Sequence, residues 1–308
     1  MAHVLITGGA GFIGSHLCDA LLAAGHQITV LDDFSSGRKE NLEGRAIRLI
    51  EDHVGNIARY ADELTDVTLI YHLAALISGY DSLQEPHEYV EANISDLMRV
   101  LDFAKGLKRP HIVFASSSTV YGTQESPVMR ESTLPNPITM YSMSKLAGEQ
   151  MLKMYAELYG YTFNIARLFN VYGPRQNPDH PYANVTCKFS HAAALGRGVK
   201  LYGDGVQSRD FVFVSDVIAA LVLLATPGTS QVYNVGTSKQ ASIKELLETV
   251  QRLADNPLPV EKCPPWPNDI RAIEADTSRI RDEFGYEAKV SFEEGLGKTI
   301  AFFKARGF

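Results

Sequence analysis

Cysteine is scarce in this 308-residue chain, and what there is builds no framework. Cys18, Cys187 and Cys263 are odd in number and far apart, which excludes a disulfide scaffold and the close spacing of a metal site. They read as cytosolic thiols. An excess of positive charge is also missing: 29 Lys and Arg stand against 36 Asp and Glu, for a net charge of −7. No basic stripe of the kind that grips nucleic acid stands out. No apolar run approaches the ~18 residues of a membrane span. Met1 runs straight into AHVLITGG, without the charged segment, apolar core and cleavage site of a signal peptide. Repeats, low-complexity tracts and blocks of like charge are absent too. The expectation is a cytoplasmic, soluble protein with neither a nucleic-acid nor a membrane partner. At 45% hydrophobic and 21% charged, it can bury a core without disulfides.

What is present is an alternation. Apolar runs at 3–7, 27–32, 47–51, 67–74, 111–116 and 161–170 read as strands. Helical periods fall between them at 12–25, 86–107 and from Tyr141 to about Leu158. Strand and helix in turn mean a parallel sheet wound on both faces, and runs that are apolar throughout fit strands buried on both sides. After residue 173 the texture changes: YGPRQNPDHPY is a loop, and helices at 185–198, 242–254 and 291–306 mix with short strands. The predicted fold is a Rossmann-type doubly wound α/β domain over 1–172, with 209–237 returning to it. A smaller α/β lobe takes 173–208 and 238–308.

ITGGAGFIGSHL sets Gly8, Gly11 and Gly14 between a predicted strand and a predicted helix. A glycine triplet alone says little, but in this context it lets backbone approach a pyrophosphate at a helix N-terminus. Asp32 closes the second strand, 18 residues after Gly14. A carboxylate there accepts from ribose hydroxyls and repels a 2′-phosphate, which favours NAD over NADP. Arg38 and Lys39 follow, but Asp32 holds the strand end.

Two further stretches carry chemistry. FASSSTVYG places four hydroxyls, Ser116 to Thr119, at the carboxyl end of a strand, where open α/β sheets bind ligands. In isolation it would be a Ser/Thr turn. MYSMSKLAGE holds Tyr141 and Lys145, four apart and so on one helix face. In isolation that would be a surface pair. On the same sheet edge as a dinucleotide loop, both gain a functional reading.

Taken with YHLAA, EANI, ARLFNVYGPRQNP, LYGDGVQSRDFVFVSDV and SFEEGL, these stretches resemble the extended short-chain dehydrogenase/reductases that modify nucleotide sugars. The resemblance runs over nearly the whole chain and is strongest to the UDP-galactose/UDP-hexose 4-epimerases. It implies NAD as cofactor, with Gly8, Gly11, Phe12, Ile13 and Gly14 at the pyrophosphate. Asp32, Asp33, Ser35, Ser36, Gly37, His53 and Val54 would lie along the adenosine. Leu73, Ala74, Ala75, Asn93, Ser116 and Phe169 would line the rest of the cofactor site, together with Tyr141 and Lys145. Ser117, Thr119, Tyr141 and Lys145 match the catalytic positions. Substrate contacts would come from Ser117, Thr119, Tyr141, Asn170, Val185, Lys200, Leu201, Tyr202, Gln207, Arg209 and Arg271; no metal is implied. Two positions depart from the family: His53 stands where an adenine-holding Asp is usual, and Trp266 where an Arg binds phosphate.

The activity so implied is 4-epimerisation of a UDP-hexose through a 4-keto sugar, the hexose being plain, N-acetylated or a uronic acid. Lys145 and an oxidised nicotinamide are expected to favour the Tyr141 phenolate, a base otherwise weak at pH 7. The alternatives are a nucleotide-sugar dehydratase or another 4-keto-sugar enzyme, and an NAD-sensing protein without catalysis. Dehydratases typically carry Asp-Glu where this chain has Ser118-Thr119, leaving Asp81 as a substitute acid; sensing proteins tend to lose the Tyr/Lys pair. A homodimer is also implied, its helices 86–107 and 141–158 pairing with their copies through residues such as Leu97, Leu101, Met151 and Leu158.

Overall fold

The computed structural model describes residues 1–180, 183–255, 257–265 and 270–306. Its central sheet has seven strands. In spatial order they are β3 (Arg48–Glu51), β2 (Gln27–Asp32), β1 (His3–Thr7), β4 (Val67–His72), β5 (His111–Ser117), Thr162–Leu168 and Gln231–Val235. From β3 to Thr162–Leu168 every pairing is parallel. Strand order reverses between β1 and β4, where Thr7 lies opposite His72. In open α/β sheets the crevice beyond such a reversal is where ligands bind. The apolar runs fit this sheet: β1 is buried at every residue, and β2 at all but Gln27.

Helix α1 (Phe12–Ala23) follows β1. The helical run predicted at 86–107 is present but interrupted: Pro86–Val90 and Asp96–Ala104 are α-helical, and Glu91–Ser95 between them is a π-turn. The Tyr141 helix spans Met140–Tyr159. A capping box of Thr139 and Ser142 starts it, and Gly160, with φ of 75°, ends it. Leu97, Leu101 and Leu152 join the core cluster with Ile70, Ile112, Phe114 and Ile165. This corrects the seam expected from sequence. Leu97 and Leu101 are fully buried within one chain, and Met151 packs against that core, so only Leu158, 65% exposed, faces outward. The exposed large hydrophobic residues of these helices are Val90, Met98, Met143, Met154, Leu158 and Tyr159.

The chain divides into two compact units. The first comprises Met1–Thr123, Thr133–Leu168 and Ile218–Tyr233; the second comprises Gln124–Ser132, Phe169–Val217 and Asn234–Phe308. The first break falls before 172 because Asn170–Tyr172 pairs with Phe211–Phe213 instead of prolonging the central strand. The returning segment starts later than 209 because Ser208–Arg209 pairs in parallel with Ala272 and Ile273. Val128–Met129 joins that same second-unit sheet. A 3-10 helix at Val54–Glu63 and a short helix at Ser278–Phe284 had no clear signature in the sequence.

Gly148 lies inside the Tyr141 helix, where alanine is ordinarily better by ~1 kcal/mol. Here a Cβ would fall 2.8 Å from Phe114 Cζ and 2.9 Å from Leu97 Cδ2, both in the packed core. Overpacking costs ~1–3 kcal/mol. Gly148→Ala is therefore expected to lower the melting temperature, against its helix propensity; calorimetry showing a rise would mean that the core yields there.

Candidate active site

The glycine loop divides into glycines the fold needs and one it leaves open. Gly8 has φ of 72°, and a Cβ on it would lie 2.7 Å from Ala74 N. A Cβ on Gly14 would lie 2.2 Å from Gly8 O. Gly9, which the sequence pattern does not single out, would drive a Cβ to 2.7 Å from both methyls of Val30. These three are held by the chain's own packing. At Gly11 a Cβ meets Gly8 O, at 3.2 Å, and nothing else within 4 Å. Gly11 is the N-cap of α1 and no side chain caps that helix, which leaves the amides of Phe12, Ile13 and Gly14 as donors for an anion.

Asp32 is buried, and both its oxygens are engaged. Oδ2 accepts from Ala10 N at 2.8 Å and Oδ1 from Phe34 N at 2.9 Å. Burial pushes its carboxyl above the usual range, while these two amide bonds pull it down. Each oxygen retains a second lone pair, so a ribose hydroxyl can still donate to it. Ala10 is gripped again at its carbonyl, by Arg38 N at 3.2 Å and Asn41 Nδ2 at 2.9 Å, and Gly37 packs against it. Asn41 is a functional-site support that sequence reasoning missed, since nothing in KENL marks it. Asp33, Ser35 and Ser36 are exposed, Asp33 accepting from Ser35 N. His53 caps the 3-10 helix that begins at Val54. Its Nδ1 accepts from Gly55 N, and Nε2 stands 3.2 Å from the buried Asp96 carboxylate.

Past β4, Leu73 N and Ala74 N donate to Thr7, and Leu73, Ala74 and Ala75 are half-buried. Asn93, expected to line the dinucleotide site, is a brace. Its amide accepts from Leu76 N and donates to Leu76 O and Ser144 Oγ. It thereby ties the loop after β4 to the Tyr141 helix. His72 is structural: it bonds Thr7 Oγ1 at 2.9 Å, and burial, then the charge of Lys145, push its pKa down to about 3.

The end of β5 meets the Tyr141 helix. Ser117 Oγ accepts from Thr119 N and, at 2.9 Å, from Thr119 Oγ1. It also acts on the Tyr141 phenol, favouring its ionised form. Tyr141 is buried, with Tyr89 edge-on at 6.4 Å. Lys145 is buried too, donating to Ala115 O at 2.8 Å, its ammonium 5.1 Å from the Phe114 ring centroid. Burial drives both groups toward neutrality. It raises the Tyr141 phenol, opposed by the Ser117 hydrogen bond, and lowers Lys145 to about 8. The expected phenolate includes the charge of an oxidised nicotinamide; in the protein by itself desolvation is the largest influence on the phenol. Ser116, also expected at the cofactor, turns its hydroxyl onto Glu149 at 2.6 Å.

In the second unit, Asn170 N bonds Asp210 O, and Asn170 lies opposite Phe211. Arg209 Nη1 is fixed on two carbonyls, of Ser208 at 2.8 Å and Ile270 at 2.6 Å. Buried Asp210 accepts from Thr237, Ser238 and Ala275, so this frame is tightly bonded. Arg271 is exposed, its carbonyl accepting from Ser208 N. Val185 opens the helix Val185–Leu195; Lys200, Leu201 and Tyr202 lie on the strand Val199–Tyr202, and Gln207 donates to Tyr202 O. Leu201 faces the core, and Lys200 is exposed, 3.8 Å from Glu261. Phe169 is buried, its amide on Val235 O. Trp266 lies outside the described residues.

An open Gly11, an uncapped helix N-terminus and a strand-end carboxylate fit an adenine dinucleotide. The family model for the NAD dependent epimerase/dehydratase family matches residues 4–236. The chain belongs to that family. Its cofactor is NAD. It is similar to a UDP-glucose 4-epimerase of Mycolicibacterium smegmatis, 38% identical over 98% of both chains. It is also similar to a UDP-N-acetyl-alpha-D-glucosaminuronate decarboxylase of Bacillus cytotoxicus, 32% identical over 97% of both. The structure of a Thermotoga maritima UDP-glucose 4-epimerase with UDP-glucose superposes with a TM-score of 0.94, at 32% identity, covering 99% of this chain and 100% of that one. Among the described residues, no helix is long and apolar enough to cross a membrane.

The burial of Lys145 has a measurable consequence. Its pKa is about 8 in the fold against 10.5 ordinarily, so between these values the unfolded chain binds more protons than the folded one. The contribution of Lys145 to stability therefore rises with pH across that window. In NAD-free protein, urea titrations should show the stability difference between wild type and Lys145→Met moving in favour of wild type from about pH 8 to about 10.5. A difference independent of pH would show that the ammonium is solvated.

Proposed function

We propose that the protein is a UDP-hexose 4-epimerase that works through a 4-keto sugar. The observation that carries this is the hydroxyl pair at the end of β5. Ser117 favours ionisation of the Tyr141 phenol, Lys145 is buried on the same helix, and positions 118 and 119 hold hydroxyls rather than carboxylates. Bound NAD supplies the hydride acceptor and a positive charge. Tyr141 takes the proton of the sugar C4 hydroxyl, and Ser117, itself receiving a hydrogen bond from Thr119, orients that hydroxyl and shares the proton. Hydride delivered to C4 from the opposite face, with the proton handed back to O4 by Tyr141, would invert the centre, with mass conserved and no net use of cofactor. Loss of water across C5–C6 would need an acid and a base there. Ser118 and Thr119 are too weakly acidic for that, and Asp81 starts the short helix Asp81–Gln84 with its amide on Ser78 Oγ. In the second unit, Asn170, Arg209 and Arg271 are proposed to hold the diphosphate, and Val185, Lys200 to Tyr202 and Gln207 the nucleoside.

Incubation with UDP-galactose, UDP-N-acetylgalactosamine and UDP-galacturonate, without added cofactor, should give a C4 epimer of unchanged mass from at least one of them. Little deuterium should enter C5 in heavy water. Tyr141→Phe should lose ~10²-fold or more in turnover while still binding the nucleotide. A product 18 mass units lighter, with heavy C5 labelling, would favour the dehydratase reading.

We further propose a homodimer formed through the exposed stripe on the Tyr141 helix and its neighbour. Met143, Met154 and Leu158 recur at helical spacing, and Val90 and Met98 are exposed on the adjoining run. The wild type should sediment as a dimer at micromolar concentration, and Met154→Glu/Leu158→Glu as a monomer. An active wild-type monomer would remove this assembly.

A further inference from the structure

Eight residues beyond Tyr141 and four beyond Lys145, the same helix carries Glu149. Its carboxylate is completely buried, and both its oxygens are engaged. Oε1 accepts from Ser116 Oγ at 2.6 Å and from Arg167 Nε at 2.8 Å; Oε2 accepts from Arg167 Nη2 at 2.7 Å. Arg167 belongs to the strand beside β5, directly opposite Ser116 in the parallel register. Its guanidinium carbon lies 4.8 Å from the ring centroid of Tyr121, in the turn Ser118–Tyr121 that also holds Thr119. Its Nη1 finds no hydrogen-bond acceptor among the described residues.

One ion pair thus touches every element that presents a catalytic group. The Tyr141 helix carries Tyr141 and Lys145. Strand β5 carries Ser117 and the Ala115 carbonyl that receives Lys145 Nζ. The turn carries Thr119. Ser116, bonded to Glu149, sits in sequence between Ala115 and Ser117. Stability alone does not call for this arrangement, because a buried ion pair often contributes no more than apolar side chains of the same volume would. What a two-pronged carboxylate–guanidinium contact adds is direction: it fixes distance and orientation together.

We propose that Glu149 and Arg167 are positioning residues of the reaction, setting the Tyr141 phenol and the Lys145 ammonium against Ser117. The proposal rests on the reading of Tyr141 as the proton-transfer group. It requires that loss of the forked geometry lower kcat while leaving cofactor retention and KM nearly unchanged, since neither residue is assigned to either ligand. A change of ~1 Å in the placement of reacting groups costs on the order of 10²-fold in rate.

The test uses NAD-loaded enzyme and whichever of UDP-galactose, UDP-N-acetylgalactosamine or UDP-galacturonate the wild type turns over. Arg167→Lys keeps the charge and loses the fork; Ser116→Ala removes one hydroxyl and leaves the charges paired. Glu149→Met/Arg167→Leu replaces the pair with apolar groups and is the variant best able to fold. Each folded variant should retain bound NAD and a KM within about 3-fold of wild type. Arg167→Lys and the apolar pair should lose at least ~10-fold in kcat, and Ser116→Ala less. In a Tyr141→Phe background the apolar pair should cost little more, because residues acting as one unit are not additive. A folded, NAD-loaded apolar pair or Arg167→Lys with wild-type kcat would overturn the proposal, and so would full additivity with Tyr141→Phe. If the apolar pair does not fold, Arg167→Lys and Ser116→Ala decide. Undiminished turnover by Tyr141→Phe itself would instead sink the underlying reading.

Discussion

The Tyr141 helix lies on the sheet with a polar face, and that face is dry. Tyr141, Ser144, Lys145 and Glu149 are all buried. An unpartnered polar group in such a place costs ~1–3 kcal/mol, and more if charged. Each of these groups therefore dictates a partner elsewhere: Ser117 for the phenol, Asn93 for Ser144, the Ala115 carbonyl for the ammonium, and Ser116 with Arg167 for the carboxylate. Helix placement, the end of β5 and the π-turn at Glu91–Ser95 are then no longer independent features. The π-turn carries Asn93, whose amide also holds both main-chain groups of Leu76.

The sheet was legible in the sequence because strands buried on both faces write themselves as unbroken apolar runs. β1 and β2 are such runs, and their limits fall where the amino acids place them. The glycine loop was legible because its constraints are local: Gly8 and Gly14 meet backbone atoms that are near in sequence or at the adjoining strand end. What failed to show was whatever depends on a partner far along the chain. Asn41 reaches back to Ala10, Val128–Met129 pairs with residues near 275, and Asn170–Tyr172 leaves the strand that it follows in sequence. The same reason explains the dimer seam. A hydrophobic period says that a helix buries a face; it does not say whether the face meets its own core or another copy, and Leu97 and Leu101 took the core.

A polar side chain can have two uses. Ser116 and Asn93 stand at positions expected to touch the cofactor, and their side chains also bond the fold, one to Glu149 and one to Leu76 and Ser144. Asp32 shows that the two uses need not exclude each other. Its oxygens hold Ala10 and Phe34, and so shape the loop, while the remaining lone pairs keep it an acceptor.

The electrostatics of the catalytic patch follow from the same dryness. Desolvation raises the phenol and lowers the ammonium, so in the protein by itself both are shifted toward their uncharged forms. Lys145 at about 8 is still largely protonated at neutral pH, but its Nζ is committed to a carbonyl, which neutralises nothing. Proton removal from Tyr141 thus depends on a positive charge brought in from outside, and in a site of low polarity such a charge acts strongly. The glycine loop, α1 and Asp32 stand at the carboxyl edge of the sheet on which the Tyr141 helix packs, so on the role proposed for Tyr141, holding an oxidised dinucleotide and making a base would be one event. On that proposal a phenol kept neutral until then abstracts no proton prematurely, and the burial of this tyrosine would have a chemical purpose beyond packing.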